Sequence, residues 1–297
     1  IIPAQISNSS GFISQLINSG ESRSDGIEML LNLTPIRNDD LRWDFNFNAS
    51  YNKTKVISLL SDEEGESILV GNHVFNGYLY QVVGKEIGQL AGFGYKFDEQ
   101  GRQVFADDGR PLRSDDIKFF GSALPRWVGG ITNTVRYKDF NFSFLIDFKL
   151  GGKMISGTNF NAVRHGLHKM TLPGRDTGVI GDGVNQAGQP NTVATESQTY
   201  WEVVRSQQLI EPIVYNSGFW KLRQITVGYD FQKLIPEDSF VQGVTLSLVA
   251  NNVAILKKWV PNIDPDSFAY SSDNVSGLES TGVPTTRSIG FNLNVKF

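Results

Sequence analysis

Residues 285–297 read TTRSIGFNLNVKF. Ile289, Phe291, Leu293, Val295 and Phe297 are apolar, and Gly290, Asn292, Asn294 and Lys296 between them are not. A strict period of two is the signature of a β-strand with one dry and one wet face. Chain ends ordinarily fray in polar residues, whereas this one alternates up to a final aromatic. The spacing predicts a strand held along its whole length.

The same period recurs upstream. WDFNFNASYN, residues 43–52, sets Trp43, Phe45, Phe47, Ala49 and Tyr51 against Asp44, Asn46, Asn48, Ser50 and Asn52. FNFSFLIDFKL, residues 140–150, sets Phe140, Phe142, Phe144, Ile146, Phe148 and Leu150 against Asn141, Ser143, Leu145, Asp147 and Lys149. GIEMLLNLT at 26–34 and ITVGYDF at 225–231 follow the pattern, and GVTLSLVANN at 243–252 follows it less cleanly. A soluble sandwich with solvated outer faces would also alternate. These strands are longer, however, than the roughly five or six residues usual in globular proteins. Aromatics also mark their ends: Trp127 and Tyr137 share a parity, as do Phe219 and Tyr229. A strand of about ten residues tilted by about 40° covers about 25 Å of membrane normal. The pattern therefore predicts an all-β, antiparallel transmembrane β-barrel with an aromatic girdle at each interface.

The connections have a rhythm of their own. PIRNDD (35–40), YKDFN (137–141), GKEIG (84–88) and the longer QKLIPEDSFVQ (232–242) read as short turns, and 53–78, 98–125, 151–217 and 253–285 as long loops. About nine strands result, near 27–36, 40–52, 79–85, 88–97, 127–138, 140–150, 219–231, 242–252 and 286–297. Short periplasmic turns alternating with long extracellular loops are the habit of outer-membrane barrels. On that pattern the C-terminus is periplasmic.

Composition narrows the field. There is no Cys, so neither a disulfide framework nor thiol chemistry is available. A formal net charge of -4 offers no basic surface for nucleic acid. No apolar run reaches the roughly 20 residues of a membrane helix, a test that does not see barrel strands.

Several phrases resemble a known family. SSGFISQLINSGESRSDGIEMLL (9–31), PRWVGGITNTVRYKDFNFSFLIDFKLGGK (125–153), GLHKMTLPGR (166–175), YWEVVR (200–205), FWKLRQITVGYDF (219–231), PNIDPDSF (261–268) and TRSIGFNLNVKF (286–297) are similar, in order, to segments of SusC/RagA-type TonB-dependent transporters. The resemblance implies that residues 1–297 are the C-terminal part of a barrel of about 22 strands with a plugged lumen, the plug and N-terminal domains lying outside this chain. It implies import of large solutes, glycans or oligopeptides, across the outer membrane of a Gram-negative, Bacteroidota-like cell. The partners implied are a SusD-like surface lipoprotein, the remainder of the barrel and plug, TonB through the N-terminal part, outer-membrane lipid and the barrel-assembly machinery. Phe297 resembles the terminal aromatic presented to that machinery. Two other readings stand beside this one: a structural barrel subunit of a larger outer-membrane assembly, and a surface β-domain that binds carbohydrate.

Reactive chemistry is sparse. His165 and His168 form an H-x-x-H, but zinc takes three or four ligands and the sequence has one further His, His73. The acidic run from Asp98 lacks the acid spacing of an EF-type calcium loop. With no nucleophile–base set, phosphate loop or paired carboxylates, an enzyme is not expected, nor is a cofactor or metal. Residues 195–212, TESQTYWEVVRSQQLIEP, predict one short helix ended before Pro212. Its Tyr200 and Trp201 are the candidate substrate-binding residues, able to stack on a sugar or peptide or to pack the loop. Glu28, Asp44, Arg136, Lys138, Asp147, Lys149, Asp230 and Lys296 fall on the polar parity and would face the lumen.

Overall fold

In the computed structural model the alternating segments pair in chain order. The structure describes residues 2–5, 7–17, 20–60, 63–72, 75–236, 238–266 and 277–297. Seven strands form one antiparallel meander: β1 (Glu21–Arg37), β2 (Leu41–Ser58), β3 (Trp127–Tyr137), β4 (Phe140–Leu150), β5 (Phe219–Asp230), β6 (Gly243–Lys258) and β7 (Ser288–Lys296). Each pairs with its sequence neighbours, and β1 and β7 are the edges.

Register turns the alternation of single strands into two continuous faces. One row runs Leu33, Phe45, Asn133, Phe144, Ile225, Ala250, Ile289 from β1 to β7. The next on that face runs Ile36, Trp43, Val135, Phe142, Val227, Leu248, Phe291. Rows of the opposite face carry Asp44, Thr134, Ser143 and Thr226, and then Arg42, Arg136, Asn141, Gly228, Ser247 and Asn292. The apolar face carries no covering layer: Phe142, Leu248 and Phe291 are exposed, Phe291 by 76%. The buried clusters lie elsewhere, around Leu90, Ile155, Phe160 and Ile210 and around Val56, Leu59 and Val83. A soluble sandwich buries its apolar face against a second sheet. This sheet leaves that face bare, as a lipid-facing wall does.

Two expected wall strands belong elsewhere. Tyr78–Val82 and Gln89–Tyr95 join Ser67–Asn72 and Arg113–Ser122 in a separate four-stranded sheet. Their 5 and 7 residues are too few to span the apolar band, and Leu90 and Ala91 are fully buried. The GKEIG turn accordingly sits at the loop end of the wall, where Val56 N donates to Lys85 O at 2.9 Å and Ile87 N to Thr54 O at 3.0 Å. The rhythm of connections survives with seven strands: 38–40, 138–139 and 231–242 are short, and 59–126, 151–218 and 259–287 are long. Asn38 closes the first turn, its Oδ1 accepting from Asp40 N and Leu41 N. The two-residue turn after Tyr137 puts Lys138 at φ 51°, the left-handed geometry that tight hairpins require.

The aromatic girdles are present with one correction. At the turn end Phe140 meets Tyr229 with ring centroids 4.7 Å apart, and Phe240 meets Phe297 at 5.3 Å. At the loop end Tyr51 meets Trp127 at 4.9 Å, and Phe148 stacks on Trp220 at 4.5 Å. The sequence parity assigned Phe219 to this girdle. A β-bulge at Arg223 shifts the register between Leu222 and Gln224, and a one-residue slip exchanges the faces. Trp220 therefore takes the girdle position, and Phe219 turns to the polar face, where it is buried beneath Lys221 and Arg223. Phe148 can lie flat because its cross-strand partner is Gly129. A Cβ at 129 would stand 2.7 Å from its ring.

The two faces predict unequal tolerance of charge. Phe144→Arg should cost about 2–4 kcal/mol in denaturant unfolding from lipid vesicles, the penalty for a cation at mid-bilayer. Ser143→Arg, one residue away on the other face, should cost less than about 1 kcal/mol. Equal losses would mean that both faces meet the same medium.

Candidate functional site

The loop end of the wall carries the charge chemistry of the chain. Four ionic residues project from the polar face: Asp147 and Lys149 from β4, and Lys221 and Arg223 from β5. The bulge brings Lys221 and the extra residue Arg223 to a shared partner, Asp266, which with Asp264 lies in the segment after β6. Lys221 Nζ meets Asp264 and lies 3.6 Å from Asp266. Arg223 reaches Asp266 with Nη2 and Asp147 with Nε at 2.8 Å. Lys149 Nζ lies 3.0 Å from Asp266, and Thr285 Oγ1 donates to Asp264 at 2.6 Å. Three cations face three anions, so the cluster is neutral although Lys221 and Asp264 are buried. Buried charges persist when paired and hydrogen-bonded. Burial opposes ionisation of Asp266, but the Arg223 hydrogen bond and the Lys149 charge outweigh it and hold the carboxyl down at about 2. Asp264 is likewise lowered, the Lys221 and Thr285 hydrogen bonds overcoming its burial. The FWKLR and IDPD phrases of the sequence are thus the two halves of one clamp, which fastens the last long loop to the polar face.

Above the clamp the long loops fold into a layer with its own core. Helix α1 (Gly157–Arg164) was not expected from the sequence. Ser156 caps it, accepting from Asn159 N at 3.1 Å. Glu279 is fully buried and accepts from Ser156 Oγ at 2.8 Å, Thr158 N at 2.9 Å and Thr158 Oγ1 at 2.7 Å. A carboxylate at a helix N-terminus is favoured by the exposed N–H groups and the dipole. It ties residues 277–282 to the helix. The helix expected within 195–212 is two short ones, α2 (Ser197–Trp201) and α3 (Val203–Ser206), and Pro212 lies in a further 3-10 turn, Glu211–Ile213.

The candidate residues sit in this layer. Tyr200 is buried, 8% exposed, with its ring against Trp201 and near Phe105. Burial raises its hydroxyl pKa. Trp201 is half-buried and lines a cavity of about 460 Å³ together with Arg164, His165, Arg175, Glu196 and Gln198. Its indole N–H is buried without a hydrogen-bond partner. Arg175 shapes the floor, donating to Thr171 O at 3.1 Å and to Gly166 O; GLHKMTLPGR is therefore the scaffold of this cavity. His165 lines it, whereas His168 is a cap whose Nδ1 accepts from Met170 N at 3.1 Å. His73 lies outside the described residues. Asp98 spends its carboxylate on a turn, accepting from Gln100 N, Arg102 N and Arg102 Nε. Phe297 follows β7 and is exposed at the turn end.

Relatives share this chain from end to end. A TonB-dependent receptor of Formosa agariphila, P26, is 30% identical and matches 100% of this chain over 31% of its own length. A second receptor of that organism, P3, is 25% identical over 100% of this chain and 31% of its own. SusC of Bacteroides thetaiotaomicron is 20% identical over 94% of this chain and 27% of its own. The chain is a homologue of SusC/RagA-type TonB-dependent receptors. No family model matches it. Among solved structures, the RagAB peptide transporter superposes with a TM-score of 0.67 at 15% identity, covering 99% of this chain and 31% of the other. Its importer form in the open-open state gives 0.68 at 17% identity, over 100% and 31%. The SusC/RagA-type homologue thus spans about a third of the length of the curated relatives it matches, and it shares the RagA barrel architecture. The relatives are receptors and transporters, not enzymes.

The clamp has a predictable acid response. A carboxyl pKa lowered on folding contributes stability above its unfolded value near 4, and that contribution is lost as pH falls towards about 2. Asp266→Asn should remove about 2 kcal/mol from the attachment of the 259–266 segment. Its amides should then exchange about 30-fold faster at neutral pH, with little change in β3. Unaltered exchange would show that the clamp is not what holds the loop.

Proposed function

We propose that residues 1–297 are the C-terminal part of the barrel of an outer-membrane TonB-dependent importer of large solutes, glycans or oligopeptides. The observation that carries this reading is the seven-stranded sheet with one bare apolar face, one polar face and aromatics at both margins. Its edges support it further. In hydrocarbon an unpaired backbone group costs several kcal/mol, and among the described residues β1 and β7 each have one unpaired side. Seven antiparallel strands leave those two edges running in the same direction, so antiparallel closure takes an odd number of additional strands. Other barrel strands and a plug, outside these residues, complete the lumen on this reading.

The long segments 59–126, 151–218 and 259–287 then face the cell exterior, and the short turns and Phe297 face the periplasm. Phe297 is presented to the barrel-assembly machinery. A SusD-like lipoprotein covers the loop layer, and TonB delivers energy through segments outside this numbering. The RagAB relative, a peptide importer recorded in open-open and closed-closed states, supports a two-part capture device of this kind. Trp201 supplies the ligand contact through its cavity, with buried Tyr200 holding it in place.

Two measurements test this. Protease added to intact cells should cut within the turns at 98–102 and 185–189 and spare 38–40 and 138–139; the reverse pattern would invert the topology. Trp201→Ala in the full-length protein should reduce oligosaccharide or peptide uptake several-fold with surface abundance unchanged. Unchanged uptake would remove Trp201 from the binding surface.

A further inference from the structure

The Trp201 cavity holds charges that answer nothing within the protein. Its walls come from the end of α1, from the turn at 166–175 and from α2 with the residue before it. Arg164 closes α1, and among the described residues its guanidinium has neither a hydrogen bond nor an ion pair. The side chains of His165 and Gln198 are equally free there. Glu196 makes no ion pair among those residues, and its carboxylate accepts only from Thr199 Oγ1, at 3.5 Å. Arg175 is committed to the scaffold, since Thr171 O, Thr171 Oγ1 and Gly166 O accept from its Nε and Nη2. Ser197 Oγ donates to Thr171 O at 2.9 Å and anchors the residue after Glu196 on the same turn. Arg164 on α1 and Glu196 on α2 therefore line one cavity without meeting, although opposite charges attract. Counted with Arg175, two guanidinium groups face one carboxylate.

The size and chemistry of the walls narrow the ligand. About 460 Å³ falls within the roughly 300–1,000 Å³ of small-molecule sites, so the cavity admits a short stretch of a polymer. Its excess of positive charge selects an anion, and a guanidinium holds a carboxylate through two parallel hydrogen bonds. Trp201 supplies apolar ring surface and no donor, because its indole N–H is buried. Glu196 and Gln198 supply acceptors and an amide donor suited to hydroxyl groups. An aromatic wall beside hydroxyl-binding groups and a guanidinium is the inventory for an acidic sugar. Peptides are recognised through a strand edge, an apolar groove or a cluster of arginines. The lining of this cavity has no strand, one aromatic and one guanidinium left free.

We propose that the Trp201 cavity takes an acidic oligosaccharide and that Arg164 selects it by charge. A uronate carboxylate meets Arg164, the sugar hydroxyls meet Glu196 and Gln198, and a sugar ring lies against the exposed surface of Trp201. The inference rests on Trp201 contacting ligand, as proposed above, and adds the class and charge of that ligand.

Equilibrium binding to the full-length protein in isolated outer membranes tests it. The probes are tetrasaccharides of galacturonate, glucuronate and mannuronate, each as the free acid and as its methyl ester, which keeps the sugar and removes the charge. At least one free acid should bind about tenfold or more tightly than its ester, the value of one charge-assisted hydrogen bond. Arg164→Gln should abolish that difference, and Arg164→Lys should keep part of it. Trp201→Ala should weaken acid and ester alike. Heat-modifiable gel mobility selects the variants that fold. Equal binding of every acid and its ester, a difference that survives in Arg164→Gln, or tighter binding of tetraglutamate than of any uronate overturns the acidic-sugar assignment and leaves the Trp201 contact to its own uptake test. Acid binding that Trp201→Ala leaves unchanged removes Trp201 from the site and overturns both.

Discussion

Every strand of the wall obeys one constraint: a backbone in hydrocarbon has no water to bond, so each N–H and C=O must find a partner on an adjacent strand. Between its two edges the meander from β1 to β7 meets it with sequential antiparallel pairs, the pattern that short hairpins allow. Once the pairs are in register, period-two alternation leaves no choice of side. Most apolar residues fall on one face and most polar residues on the other. The wide loops, the girdles and the polar interior are consequences of that separation of media.

The wall and its loop layer are held by different forces. Strand pairing carries the wall, whose apolar face packs only among its own side chains and has no second protein layer over it among the described residues. The loop layer is an ordinary buried core around Leu90, Ile155, Phe160 and Ile210. The two are joined by a polar clasp, the Lys221–Asp264 and Arg223–Asp266 clamp, while Glu279 against the start of α1 ties two long loops together within the layer. Such a clasp suits a junction beside a wet lumen, where an apolar seam would be exposed. It also gives a physical meaning to the FWKLR and PNIDPDSF phrases, 38 or more residues apart in sequence and in contact in space.

Much of the wall was legible. Strands such as 140–150 alternate with Leu145 the one exception, so their faces and girdle residues followed from period and their hairpin partners from the short turns. The loop layer was less legible. The strands at 78–82 and 89–95 look like wall strands in composition, and only their length and two-sided burial assign them to the loop sheet. Helix α1 was missed because GTNFNAVR has little helical periodicity and is held by Ser156 and Glu279 from outside it. Tyr200 and Trp201 were found as an aromatic pair, but only packing separates the buried ring from the one that lines a cavity.

The sequence by itself determined the class of the protein, its two-faced strands and the order of short and long connections, because all of these rest on local spacing. Tertiary structure decided what spacing does not encode. One extra residue at Arg223 reverses the faces of Phe219 and Trp220, and the acids that answer Lys221 and Arg223 arrive from a loop some 40 residues later. A bulge is a mismatch between two strands, and an ion cluster is a meeting of distant segments. Neither is a property of any one stretch of chain, so neither could be read before the strands were paired.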